Sequence, residues 1–159
     1  MPFPGVYYYS PDGKLTRLVD GIRANGIMLS PDERTLFVTN RETIAAFDVQ
    51  ADGMVTRQRE FCKLDGMGVA DGLSIDDAGR LYVAADPGIQ VFSPQGKHLG
   101  NIPTPRPLNS LAFGGPGKKS IFIVGNGAVD ADGKQHPGSP AKTIYKISTL
   151  AEGFKGRPK

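Results

Sequence analysis

Apolar and polar residues alternate along most of this chain in short runs, and the runs come in pairs separated by turn residues. In Ala70 to Asp86, ADGLSIDDAGRLYVAAD, Leu73 and Ile75 alternate with polar neighbours. The chain then turns at Asp77-Ala78-Gly79 and runs out through Leu81, Tyr82 and Val83, which predicts two antiparallel strands and a tight turn. The layout recurs in Ala24 to Asn40, ANGIMLSPDERTLFVTN, with Asn25 where Asp71 stands. A looser third copy, Leu108 to Asn126, places Asn109 there. Asp71 follows Asn25 by 46 residues and Asn109 follows Asp71 by 38. A period near forty built from short strands is the pattern of a β-propeller with one four-stranded sheet per repeat.

A second hairpin follows each of these. Ile44 to Arg57 and Ile89 to Ile102 turn at Asp/Pro-x-Gly, Gly5 to Leu18 is built alike, and Thr143 to Leu150 supplies the first strand of a fourth. The chain therefore reads as all-β: a leading outer hairpin, two complete blades, and a third blade whose last strand is missing or comes from Ala151 to Lys159. The segments between blades are short, so residues 1–159 form a single domain. Gly125 to Lys142 is the one long polar loop, placed to overhang a mouth of the channel. Met28, Leu29, Phe37, Leu73, Ile75, Leu81, Val83, Leu111, Phe113, Ile121 and Ile123 are the expected core, and Cys62 is expected to pack as a small apolar residue.

Composition narrows the function classes. Nineteen basic and 16 acidic residues leave a net charge of +3, dispersed along the chain, which argues against nucleic acid. A single cysteine makes no internal disulfide. No apolar run nears the ~20 residues of a membrane helix, and the N-terminal residues do not read as a signal peptide, so a soluble, cytoplasmic protein is the expectation.

Taken together, ANGIMLSPDERTLFVTN, ADGLSIDDAGRLYVAAD, IQVFSPQGKHLGNIPTP, NSLAFGG and TIYKISTLAEGFKGRPK resemble the gluconolactonase, senescence-marker-protein (regucalcin) and luciferin-regenerating-enzyme family. The order and spacing of several motifs carry the resemblance. It implies a six-bladed propeller, of which this chain is about three blades from the C-terminal half, and metal-dependent hydrolysis of lactones. The implied cofactor is one divalent metal in the central channel, calcium first, with magnesium, manganese or zinc as alternatives. The resemblance further implies that Asn25 and Asp71 are metal ligands and that Asp71 is the general base, acting on a small-molecule lactone or sugar acid.

The residues support that chemistry on their own terms. Asn25 and Asp71 head equivalent innermost strands, so both are expected to point into the channel, and hard oxygen donors suit calcium or magnesium. Asn109 aligns with them and is a candidate substrate contact, a strand cap being the plainer alternative. Arg41 and Asn126, at the ends of return strands, are further candidates at the mouth, Arg41 for a carboxylate or sugar hydroxyl. The family's first ligand, a Glu, and a substrate-binding Asn-Asp-Gly segment precede the region that matches Gly5 and do not occur here. This leaves a second reading, a catalytically incomplete propeller segment that packs against another copy of itself, an N-terminal half or a different partner.

Overall fold

The computed structural model describes residues 4–66, 68–86, 88–136 and 138–156. The chain is all-β, and among the described residues its one helical turn is the 3-10 segment Pro116–Lys118. Strands β1 (Gly5–Tyr9) and β2 (Leu15–Asp20) form a two-stranded ribbon. Two four-stranded antiparallel sheets follow: β3 (Ala24–Leu29), β4 (Thr35–Asn40), β5 (Thr43–Val49) and β6 (Val55–Lys63), then β7 (Leu73–Ile75), β8 (Leu81–Ala85), β9 (Gly88–Phe92) and β10 (His98–Pro103). The last sheet holds β11 (Leu108–Gly114), β12 (Ser120–Asn126) and β15 (Lys142–Ser148). Between its second and third strands lies the small hairpin of β13 (Ala128–Val129) and β14 (Gln135–His136). Neighbouring strands within each blade are consecutive in sequence or flank that hairpin, which is the meander order of a partial propeller.

The alternation of side chains explains how the blades stack. Because successive residues face opposite sides of a sheet, a blade between two others is apolar on both faces. β8 shows this: Leu81, Val83 and Ala85 pack with Phe37, Ile44 and Ala46 of the preceding blade, while Tyr82 and Ala84 pack with Leu111, Ile121 and Ile123 of the following one. A third core joins the ribbon to the first blade through Val6, Ile22, Leu36, Val38, Ala45 and Phe47. Cys62 is buried in the core between the two full blades, where burial and the Glu60 charge push its thiol up from 9.0 to about 12.

The expected core is buried or packed against it with one exception. Leu29 is 39% exposed and Ile27 51%. Ile27 pairs with Val38 and Leu29 with Leu36, so both lie on the face toward the ribbon. The ribbon's two strands cover the outer part of that face and leave the innermost strand bare.

Among the described residues, 151–156 do not supply a fourth strand to the last blade. They cross instead to the far end of β7, where Asp76 bridges to Gly153. Phe154 N–H donates to Ile75 O (3.1 Å), Asp77 N–H to Glu152 O (2.9 Å) and Gly153 N–H to Lys118 O (3.0 Å). A Cβ on Gly153 would stand 2.9 Å from Phe113 Cδ1 and closer still to Phe113 Cβ and Cγ, so the crossing requires glycine. Nor is the loop from Gly125 to Lys142 wholly irregular. Its β13–β14 hairpin is held by an exposed His136–Asp130 contact (2.7 Å).

Candidate functional site

The three aligned residues Asn25, Asp71 and Asn109 share a local geometry that alternation alone does not predict: each stands where the ladder of its blade is broken. The β3–β4 register shifts between Ala24 and Ile27 and the β11–β12 register between Leu108 and Ser110. At Asp71 two successive residues face one, since Asp71 N–H donates to Ala84 O (2.9 Å) while Ala84 N–H donates to Gly72 O (2.8 Å). A bulge of this kind bends the strand and re-aims a side chain away from the regular pleat. Three blades repeat it at the same place. At the first, the fully buried Thr39 hydroxyl stabilises the broken register by accepting from Gly26 N–H (2.7 Å).

The glycine after each of the first two positions has a packing role. A Cβ on Gly26 would lie 3.1 Å from Gly72 Cα, and one on Gly72 would lie 2.9 Å from Ser110 Cα. Successive innermost strands thus approach through glycine, and Gly72 N–H crosses the seam to Asn109 O (3.0 Å). Ala70 N–H bonds to Arg41 O (2.6 Å) across the preceding seam.

These contacts bring the candidates together in two pairs. Asn109 Nδ2 faces Asp71 Oδ2 at 3.5 Å, and both residues are half-buried. Asn109 Oδ1 is buried without a hydrogen-bond partner. Asn25 and Arg41 meet in a cleft of about 670 Å³ whose lining also includes Tyr7, Arg23, Val69 and Ala70. Ala70, which lines the cleft, precedes Asp71 in sequence, and Asp71 itself is not among the lining residues. Asn126 is drawn elsewhere, its Oδ1 accepting from Lys142 Nζ. Sequence reasoning missed Arg23, whose backbone N–H is fixed by Asn40 Oδ1 (3.0 Å); before a strand, nothing in the local pattern distinguishes it from a solvated arginine.

The donor chemistry can be tested against a divalent cation. Among the described residues no group of three or more His, Cys, Asp or Glu side chains is placed to hold a metal. Asp71 contributes a carboxylate, and Asn25 and Asn109 contribute amide oxygens, that of Asn109 unsatisfied in its buried position. These are hard donors that fit calcium or magnesium. They make a partial set against the ~6–8 oxygens calcium takes.

Residues 2–126 match the family described as "SMP-30/Gluconolactonase/LRE-like region", and the chain belongs to that family. It is 34% identical over 137 residues to the gluconolactonase of Zymomonas mobilis subsp. mobilis, covering 77% of this chain and 38% of that one. A solved luciferin-regenerating enzyme superposes with a TM-score of 0.83 at 25% identity, covering 98% of this chain and 55% of that one. The calcium-binding protein regucalcin of Agrobacterium tumefaciens shares the fold, with a TM-score of 0.73 at 22% identity over 96% of this chain and 54% of that one. The chain therefore spans from somewhat over a third to just over half the length of these relatives. No helix among the described residues is long and apolar enough to cross a membrane.

Proposed function

We propose that this chain forms part of a lactone hydrolase in which Asp71 is the general base and Asn25 and Asp71 help to hold a divalent cation, calcium by preference. The observation that carries the reading is the repeated bulge, which turns Asp71 out of the ladder beside an amide donor at the head of an innermost strand. When bound, the cation would polarise the lactone carbonyl as a Lewis acid. Asn109 Nδ2 holds Oδ2 of Asp71, leaving Oδ1 to take a proton from the water that attacks the carbonyl carbon. The ring C–O bond then breaks, and the proton returned by Asp71 to the departing oxygen yields the open hydroxy acid. The experiment is a pH-stat assay of δ-gluconolactone hydrolysis with Asp71→Asn, where turnover equal to wild type overturns the assignment.

The chain supplies about three blades of what we take to be a six-bladed ring. A specific observation favours a second reading, that of a segment that binds a partner or its own copy. Ile27 and Leu29 at one end, and Phe122 (38%) and Ile144 (72%) at the other, leave apolar sheet faces uncovered. Sedimentation velocity separates the readings: concentration-dependent association without lactonase activity favours the second, and a monomer that turns over lactone favours the first.

A further inference from the structure

We propose that the cleft beside Asn25 is an oxyanion-reading subsite, in which Arg23 and Arg41 grip a carboxylate or phosphate carried by a polyhydroxy lactone or acid. The inference rests on the reading of lactone hydrolysis and adds to it a substrate class, an acid-bearing sugar derivative.

Exposed arginines are ordinarily solvated and need no ligand to explain them. Four features set this pair apart. Both line one concave space of about 670 Å³ together with Asn25, and none of its lining residues is acidic. Four of the other arginines find carboxylates: Arg17 pairs with Asp20, Arg57 and Arg59 with Asp48, and Arg80 with Asp76. Among the described residues the Arg23 and Arg41 guanidiniums have no such partner. Their backbones are fixed, Arg23 by Asn40 and Arg41 by Ala70, so both arginines line the cleft from anchored points. Finally, Arg41 holds a left-handed backbone at φ 57, a conformation glycine or asparagine adopts at less cost. The two-residue turn between β4 and β5 sets that backbone, and an arginine kept there places a second cation in the cleft.

The chemistry follows from the guanidinium itself. Its planar fork matches the two oxygens of a carboxylate or phosphate, and it stays charged at every working pH. With Ala70 lining the cleft and Asp71 next in sequence, an anionic group held by the arginines would sit at one end of a sugar whose carbonyl lies toward Asp71. Hydroxyls between the two ends would meet the Asn25 amide and the Tyr7 ring edge of the cleft.

The test is calorimetric titration of the protein with D-glucarate and sorbitol 6-phosphate as the anionic probes and sorbitol as the neutral one. At least one anionic probe is expected to bind tenfold or more tightly than sorbitol. Its affinity should fall as ionic strength rises from about 0.01 to 0.1 M, which shortens the Debye length from ~30 to ~10 Å. Arg23→Ala and Arg41→Gly are each expected to weaken it about tenfold, with Arg41→Lys in between. Arg41→Gly relieves the left-handed backbone, so misfolding does not account for a loss there. Whichever anionic probe loses more on substitution identifies the oxyanion as carboxylate or phosphate. Sorbitol binding as tightly as both anions, or anion binding unmoved in the double variant, overturns the proposal. The assay arm keeps the two readings apart, using kcat/KM for an acid-bearing lactone relative to a neutral one. A ratio the arginine variants do not move sinks the anion subsite and leaves hydrolysis standing. Failure to hydrolyse any lactone sinks the hydrolase while the titration still decides the subsite.

Discussion

Two carboxylates stand at opposite ends of β7, five residues apart, and the protein treats them in opposite ways. Asp76 is fully buried and its oxygens are filled: Oδ1 accepts from Ala78 N–H (3.0 Å) and Arg80 N–H (2.9 Å), and Oδ2 from Arg80 Nε (2.6 Å) and Tyr82 OH (3.1 Å). Asp71 is half-buried, and its carboxylate has one long contact, from Asn109. A buried charge whose lone pairs are all taken is part of the scaffold, because removing it strands its donors. A carboxylate with an open oxygen retains the capacity to bind a cation or a proton. The difference between the two lies in coordination, and type or sequence neighbourhood does not reveal it.

Asp76→Ala tests the scaffold role most directly. It leaves two backbone donors, a guanidinium and a phenol without their acceptor, and thermal or urea unfolding is expected to report a loss of about 3 kcal/mol or more. If Asp76→Ala unfolds like wild type, the scaffold role is refuted. Asp71→Asn should do the reverse, lowering kcat by roughly 10²–10⁴ with an unfolding midpoint close to wild type. Coupled losses of stability and activity at both positions would erase the distinction.

Gly72→Ala tests the seam between them. Its methyl would press on the Ser110 backbone, and such overpacking costs about 1–3 kcal/mol. Because Asp71 precedes it, hydrolysis and stability should both fall, read from turnover and urea midpoints of the same preparation. The smallest effect is alkaline. Burial pushes the Cys62 thiol up from 9.0 to about 12. Burial first, and then the Asp76 charge, push the Tyr82 phenol from 10.0 to about 12. Both groups keep their protons longer in the folded chain, so the stability they contribute is whole below about pH 9 and declines as pH rises toward 12. Urea midpoints measured across that window should fall, and Cys62→Ala should make the fall shallower.

Much of the fold was legible because strand alternation and turn chemistry are local. The repeats of Ala24 to Asn40 and Ala70 to Asp86 predicted the blades, and the order of motifs pointed to the family. What escaped depends on contacts distant in sequence. Gly26 and Gly72 carry no local signal beyond following Asn and Asp, whereas neighbouring strands press where their side chains would be. Asp76 lies in an Asp-Asp-Ala-Gly turn with nothing local to distinguish it, since its burial is imposed by Tyr82, Arg80 and the crossing tail. The tail itself carries no periodic signal, and its docking on Ile75 and Asp77 could not be inferred from composition. The candidate site was legible as positions, through the alignment of Asn25, Asp71 and Asn109, while the bulges that aim them and the arginine that joins Arg41 needed coordinates.

The tail that crosses from the last blade to β7 is fastened by peptide groups: Glu152 O, Gly153 N–H and Phe154 N–H make the bonds to Asp77, Lys118 and Ile75. Side chains add to the fastening, Phe154 packing against the core of the two full blades and Glu152 pairing with Lys119 and Lys155, so replacements there should loosen the tail as well. The tightest point is Gly153, pressed against Phe113, and there a single methyl would lift the strap and let the two blades it spans drift apart at the rim opposite Asp71.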